Sequence, residues 1–170
     1  MNSSDDLRWA TLPRGSILAA TINKHIQYVG FTDRRAQGMI TISALLVPVA
    51  LSGIQNPVFQ LGSAIAIITS VLTVFFAILS LYPKSSHAKH DHTNFLHFSD
   101  IQKLSEEEYM REMQSALQDT GKLSEMAVME IYHLSALVLG PKFKWLKMSY
   151  WVFLVGNVGA LSAIGMGLSM

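Results

Sequence analysis

Three long windows of the sequence contain no Asp, Glu, Lys, Arg or His, and they restrict the possible folds more than any other feature. They run from 36 to 54, from 58 to 82 and from 148 to 170. A membrane-spanning helix needs about 20 mainly apolar residues. Only 15% of the residues are charged, against about 25% in a typical soluble domain, so too little polar sequence remains to cover three buried helices. The windows therefore predict an all-α membrane protein with three transmembrane helices.

The basic residues predict how these helices are oriented. Five of the 13 lysines and arginines lie in residues 1–35 and eight lie in residues 84–147, whereas the connector 55–57 and the last window have none. Because cytoplasmic segments carry the excess of Lys and Arg, we expect a cytoplasmic N-terminus and middle segment, an outer turn at Asn56-Pro57 and an external C-terminus. Aromatic residues of the kind that concentrate at membrane interfaces mark the cytoplasmic ends of spans 2 and 3, namely Tyr82, Trp145, Tyr150 and Trp151.

These patterns divide the chain into five segments. A cytoplasmic N-terminal helix over 1–35 leads into transmembrane helix 1 over 36–54, and transmembrane helix 2 follows over 58–82. A cytoplasmic helical hairpin occupies 83–147 and connects to transmembrane helix 3 over 148–169. The apolar residues before the first span recur at helical spacing, which is why we expect one helix that can run directly into the membrane.

The hairpin has clear start and stop signals. Ser105 and Glu108 have the spacing of a capping box at the start of a helix, and Gly121 is placed to end it. An apolar stripe from 123 to 138 predicts a second helix, ended by Gly140 and Pro141. This helix is a poor fourth span because it contains Glu125, Glu130 and His133, and a charge near mid-membrane costs a few kcal/mol.

The sequence contains no recognisable catalytic or metal-binding pattern. Five potential ligands lie close together in the linker before the hairpin: His87, His90, Asp91, His92 and His97. Their spacing matches no closed zinc pattern, and neither a nucleophile motif nor a phosphate-binding glycine loop is present. We therefore expect no enzymatic activity, no cofactor and no metal site.

Small residues recur at four-residue spacing in the second and third spans. The second span contributes Gly62, Ala66 and Ser70, and the third contributes Gly159, Ala163 and Gly167, with the amide of Asn157 nearby. Small faces allow membrane helices to approach closely, and side-chain amides can hydrogen-bond across such contacts. Packing within one chain and contacts between the chains of a homo-oligomer are both compatible with this pattern.

Several stretches together resemble the transmembrane effectors of Pycsar antiphage systems. The similar stretches are DRRA at 33–36, NFLHFSDIQKLSEEEY at 94–109, EIYHLSALVLGPKFKWLKMSYWVF at 130–153 and the final span. The family's Asp-Arg-Lys-Ala motif corresponds to 33–36, with Arg35 in place of the usual Lys. The later matches are Glu108-Tyr109, Ile131-Tyr132 and Lys142-Phe143, where Phe143 replaces a common Tyr.

The resemblance implies a function that composition and spacing do not reveal. It implies a multi-pass protein of the bacterial inner membrane, with a periplasmic C-terminus, activated during phage infection by a cyclic pyrimidine mononucleotide from a neighbouring pyrimidine cyclase. The effector then impairs the membrane and kills the cell. Its expected partners are the lipid bilayer, the cyclic nucleotide and further copies of itself, with no DNA or RNA. The alternative is a membrane anchor or scaffold that recruits a soluble partner through the hairpin.

A ligand site can be proposed from the charge of such a nucleotide. Its single phosphate charge favours a cation, and its base favours an aromatic or polar surface. The candidates are Arg34 and Arg35 beside Asp33, with Tyr109 or Tyr132 from the hairpin. The arginines can instead serve only to orient the first span, with Asp33 paired to a basic residue.

Overall fold

The protein is described by a computed structural model over residues 3–82 and 101–169, with side chains from residue 15 onward except that of Thr120. Every regular element in these ranges is a helix. The helices are α1 (Ser3–Gly53), α2 (Gln60–Leu81), α3 (Glu106–Gln118), α4 (Thr120–His133), a π-helix (Leu134–Leu139) and α5 (Gly140–Ser169). The described residues form two compact units, the first from 3–28 and 101–139 and the second from 29–82 and 140–169.

Three helical stretches are long and apolar enough to cross a membrane. They are Gly15–Gly53, Gln60–Leu81 and Gly121–Ser169. The prediction of an all-α protein with three candidate spans is therefore confirmed for the described residues. The finer segment boundaries and the orientation of the termini stay predictions.

The second unit has its large apolar side chains outside and its hydroxyl side chains inside. Its six largest fully buried side chains are all Ser or Thr: Thr32, Ser43, Ser70, Thr73, Ser80 and Ser149. Leu45 and Leu161, in contrast, are each 68% exposed. A soluble protein buries such leucines, whereas hydrocarbon solvates them and leaves small residues for the contacts between helices. This distribution is typical of a bundle built for lipid.

Helices α2 and α5 pack antiparallel along their length. Near one end, the Oγ of Ser80 donates a hydrogen bond to the carbonyl oxygen of Lys142 at 3.0 Å. Further along, the Oγ of Ser149 donates to the carbonyl oxygen of Thr73, also at 3.0 Å. Towards the other end, Gly62 lies against Ala160. Hydroxyl donors that reach a neighbouring helix's backbone require the two helices to approach closely, which small side chains permit.

A short turn joins α1 to α2 at the predicted position. The side-chain Oδ1 of Asn56 accepts a hydrogen bond from the backbone N–H of Val58 at 3.0 Å. The carbonyl oxygen of Asn56 accepts from the N–H of Phe59 at 3.0 Å. An asparagine that caps its own turn, followed by Pro57, which lacks an N–H, favours this tight reversal. The side of the membrane that it faces stays a prediction.

In the first unit, α3 begins as the sequence predicts but ends earlier. The capping box at Ser105 is formed, with Glu108 as its reciprocal partner. Gly121, however, does not end α3, which stops at Gln118. The reason is Asp119, whose Oδ1 accepts from the N–H groups of Gly121 at 2.8 Å and Lys122 at 3.2 Å. Asp119 therefore starts α4 as its N-cap, and Gly121 lies inside the first turn of that helix.

The predicted helix end at Gly140 and Pro141 is wrong. The chain passes from α4 through the π-helix into α5 without leaving helical conformation. A proline inside an α-helix lacks the N–H for one backbone bond and crowds the carbonyl one turn earlier. The wider turns of a π-helix shift that bonding pattern, and Leu134–Leu139 lies directly before this pair. This explains how the helix continues through a sequence that normally stops one.

The capping box gives a first testable prediction. The Glu108 carboxylate accepts from the backbone N–H and the hydroxyl of Ser105, each at 3.0 Å, and these bonds hold its pKa below the ordinary 4.5. A depressed carboxyl pKa stabilises the folded state above the ordinary value, and this stabilisation is lost as the pH falls through the folded pKa. Hydrogen exchange of the 105–109 amides, corrected for the intrinsic pH dependence, should therefore accelerate below about pH 4.5.

Two variants sharpen this measurement. Ser105→Ala should lower the local opening free energy of α3 by about 1 kcal/mol at neutral pH, since it removes the cap. Glu108→Gln should flatten the pH dependence while leaving the helix formed. Unchanged protection of these amides in Ser105→Ala would contradict the cap's role.

Candidate functional site

Three helices of the second unit meet at a contact that we call the span junction. It consists of the ion pair between Asp33 and Lys142 together with Ser80. The Nζ of Lys142 contacts the carboxylate of Asp33, which connects α1 to α5. The Lys142 side chain is only 5% exposed and that of Asp33 is 32% exposed. A buried ammonium group needs a partner to offset its lost hydration. Ser80 connects α2 to the same position by its hydrogen bond to the Lys142 carbonyl oxygen.

Apolar packing surrounds the span junction. A cluster of buried side chains comes from all three helices: Ala36 and Met39 from α1, Ala77 from α2 and Leu146 from α5. The Phe76 and Trp145 rings are stacked nearby, with centroids 5.9 Å apart and planes 15° apart. Because the Lys142 side chain is buried, its attraction to Asp33 is screened less than that between two fully exposed charges. The junction is therefore a polar contact within an apolar setting.

The two predicted ligand-binding arginines lie beside the junction but do not take part in it. Arg34 and Arg35 are both exposed. The Arg35 guanidinium lies 4.2 Å from the ring centroid of Phe31, a cation–π contact that leaves its charge uncompensated. Asp33 pairs with a basic residue, as one of the two sequence interpretations anticipates, and that residue is Lys142. Ligand binding by the arginines stays a prediction.

The two predicted ligand-binding tyrosines belong to the other unit. Tyr109 is half-buried on α3. Tyr132 is 61% exposed on α4, and its ring centroid lies 6.2 Å from that of His133. The five candidate residues are thus divided, with Asp33, Arg34 and Arg35 in the second unit and both tyrosines in the first.

The first unit contains a polar pair that the sequence analysis did not identify. The Nε2 of His25 and the Oγ of Ser135 lie 2.6 Å apart, although 110 positions separate them. The Nδ1–H of His25 donates to the carbonyl oxygen of Thr21 at 2.8 Å. Ser135 lies within the π-helix, and this kind of helical irregularity frequently occurs at functional sites. No local signal in the sequence predicts this pair, because each partner is an ordinary helical residue.

Some of the predicted small residues pack between α2 and α5. A Cβ added at Gly62 would lie 2.8 Å from the carbonyl oxygen of Ala160, and a Cβ at Gly167 would overlap Val58. Ser70 and Ala163 are buried as well. These positions serve contacts within one chain.

Other predicted small residues do not pack in this way. A Cβ added at Gly159 would meet no atom within 4 Å. Ala66 is partly exposed. The Nδ2 of Asn157 donates to the carbonyl oxygen of Phe153 in its own helix at 2.7 Å. Gly156, which the pattern of fours does not include, is instead tightly packed, since a Cβ there would lie 2.7 Å from the Cβ of Thr69.

The histidine-rich linker considered as a metal site lies outside the described residues. His87, His90, Asp91, His92 and His97 all belong to the undescribed range 83–100. Within the described parts of the chain, no group of three or more His, Asp or Glu side chains is positioned to hold a metal ion.

Comparison with known proteins identifies the family. The profile of the Pycsar effector protein domain (PycTM) matches residues 17–169, a range that includes the span junction and nearly all of the two units and of the three candidate spans. No curated protein and no solved structure matches the chain. Since the family match covers nearly the whole sequence, the chain belongs to the Pycsar effector family and is an antiphage effector with transmembrane helices.

Proposed function

We propose that this effector resides in the bacterial inner membrane and responds to a cyclic pyrimidine mononucleotide made by a neighbouring pyrimidine cyclase. Binding at the cytoplasmic side changes the packing or assembly of the three spans, and the permeability barrier fails. The infected cell dies before the phage is released. Family membership supports the defensive role, and the observation that carries the mechanism is the second unit's lipid-adapted surface around a polar interior.

A polar bundle interior favours a lesion over a passive anchor. An anchor needs only apolar helices with small residues at their contacts, whereas this bundle also holds an ion pair at one end, in which the Lys142 side chain is buried. Polar groups inside a membrane carry a cost and commonly mark a pathway or a switch. If the spans separate or assemble differently, these groups can line a hydrated defect. The change of state requires a ligand that binds one arrangement better than the other.

The proposed ligand site consists of the same residues that the sequence indicates, for the same reason: a phosphate favours a cation. Arg34 and Arg35 are exposed cations beside the span junction, and either can donate paired hydrogen bonds to a phosphate. The sequence interpretation also names Tyr109 and Tyr132, which belong to the first unit, as candidate aromatic surfaces for the base. Arg34 is adjacent to Asp33 in the sequence. An anion bound by Arg34 can therefore weaken the ion pair between Asp33 and Lys142. This gives the ligand a physical route to the contact between α1 and α5.

The second candidate is the scaffold. Several large apolar side chains of α3 and α4 are exposed, namely Met110, Leu117, Val128 and Tyr132. Exposed apolar surface of this kind can bind a protein partner. A scaffold would need neither a nucleotide nor a change in the spans.

Leakage from liposomes containing the purified full chain tests both candidates. We expect cyclic CMP or cyclic UMP to raise dye release roughly 10- to 100-fold, the range of typical allosteric coupling, while cyclic AMP and cyclic GMP do not. The double variant Arg34→Gln/Arg35→Gln should need about tenfold more nucleotide, since it removes charged hydrogen-bond donors. Lys122→Gln, in the first unit, is the control for the loss of a basic side chain elsewhere in the protein. If the folded and inserted protein shows no leakage with any nucleotide of the panel, the result favours the scaffold.

A further inference from the structure

The second unit carries a set of exposed cations that its own acidic residues do not balance. We call these residues the cationic belt: Arg34 and Arg35 at one end of the first span, and Lys144 and Lys147 at the start of α5. The sequence of this unit contains one acidic residue, Asp33. That carboxylate already pairs with Lys142. The four belt charges are therefore in excess.

The belt lysines point away from the helix contacts. On α5, Lys142, Leu146 and Ser149 are buried, whereas Lys144 and Lys147 are exposed. Residues three apart lie on the same face of a helix, so the two lysines share the outer face. Among the described residues, the side chains of these two lysines and of Arg34 make no ion pair or hydrogen bond. Their ammonium and guanidinium groups are available to an external anion.

The span junction places both parts of the belt at the same end of the bundle. Arg34 directly follows Asp33, and Lys144 follows Lys142 by two positions, while Asp33 and Lys142 contact each other. Exposed aromatic side chains lie at the same end: Tyr82 at the end of α2, and Tyr150 and Trp151 on α5. Tyr and Trp of this kind concentrate at the level of the lipid headgroups.

We propose that the cationic belt binds the phosphates of anionic phospholipids, such as phosphatidylglycerol, in the leaflet that it faces. Four uncompensated cations at headgroup level complement an anionic surface, whereas a zwitterionic lipid offers no net charge. Each cation near such a surface contributes roughly a fivefold preference. This role needs no nucleotide and goes beyond the proposed function.

The chain's own tryptophans can measure this binding. Trp145 and Trp151 lie on α5 within four residues of Lys147, and Trp9 can be removed by Trp9→Phe. Full-length protein in this background is reconstituted into mixtures in which dibrominated phosphatidylglycerol or dibrominated phosphatidylcholine replaces the unlabelled lipid. Bromine quenches tryptophan fluorescence at contact, so the two quenching curves give the relative association constant of the anionic lipid. No nucleotide is present, so this result is independent of the leakage assay.

We expect the wild-type belt to prefer the anionic lipid, and Lys144→Gln/Lys147→Gln to reduce that preference by roughly 20-fold or to abolish it. Lys144→Arg/Lys147→Arg should retain the preference, because charge rather than residue type is responsible. High salt should weaken it through screening. Lys122→Gln, in the first unit, should change nothing. Equal quenching by both lipids in the wild type would overturn the proposal.

A second measurement separates lipid phosphate from free phosphate. Inorganic phosphate is added to the wild-type samples at constant ionic strength. If the belt binds lipid, the preference for phosphatidylglycerol stays the same. If the soluble anion removes the preference, the belt is a site for free phosphates, and the assignment to lipid is overturned.

Discussion

Replacing Asp33 with asparagine should destabilise the second unit by about 3 kcal/mol, because the variant leaves the Lys142 ammonium buried without a counter-ion. Lys142→Met should cost less, since Asp33 is 32% exposed and can be hydrated where it stands. The double variant Asp33→Asn/Lys142→Met should recover most of the loss, as neutral groups of similar size replace the pair. Unfolding by SDS in mixed micelles, followed by circular dichroism, measures these free energies. Their difference gives the coupling energy between the two residues.

Arg34→Gln is the matched control for this series. It removes a charge from the adjacent position, but that side chain is exposed and outside the ion pair, so its effect should stay within about 0.5 kcal/mol. If Asp33→Asn and this control have the same free energy of unfolding, the ion pair does not stabilise the contact between α1 and α5. Under the proposed mechanism, Asp33→Asn should also raise leakage without nucleotide, because it opens the contact that the ligand would otherwise weaken.

Gly156→Leu is expected to separate α2 from α5 and to cost about 3 kcal/mol or more. Even the first side-chain atom at this position would lie 2.7 Å from the Cβ of Thr69, so a helix must move or a rotamer must be strained. Thr69→Gly should rescue Gly156→Leu in part, because it removes the side chain that the new residue meets. The same SDS unfolding measurement applies.

Gly159→Leu is the matched control, on the same helix three residues further on. A Cβ there meets nothing within 4 Å, so the bundle of one chain should remain as stable as the wild type. If copies assemble through this face, the variant should still insert but lose most of its nucleotide-triggered leakage. Equal unfolding of the Gly156 and Gly159 variants would contradict the register described for α2 and α5. Normal leakage by folded Gly159→Leu would exclude this face from assembly.

The proposed site was only partly predictable from the sequence. Residues 33–35 are conspicuous because their charges directly precede an uncharged window. The sequence does not show that Asp33 forms an ion pair while Arg34 and Arg35 stay exposed, since the partner of Asp33 is 109 positions away. The limited clue is that this half of the protein contains a single acidic residue, which must pair with some cation if it is buried. Neither composition nor spacing identifies Lys142 as that cation.

Local signals also failed where two of them competed. Gly121 is a reasonable helix end, but Asp119 two residues earlier supplies a stronger start for the next helix, because its carboxylate satisfies two backbone N–H groups. Gly140 and Pro141 are a reasonable stop, but the preceding π-helix changes the bonding pattern that the proline would interrupt. Capping rules describe isolated helix ends, and the surrounding chain decides which of them applies.

The sequence by itself determined the helical class and the three candidate spans, because crossing a membrane depends on the length and apolarity of a continuous segment. It also determined the cap at Ser105, since a capping box involves residues only three positions apart. Only the tertiary structure decided which small residues face a neighbouring helix: Gly156 packs against Thr69 while Gly159 lies open. The four-residue pattern includes Gly159 and not Gly156, so it does not identify the packed glycine. The rotation of α5 against α2 depends on contacts along the full length of both helices, which no local window contains.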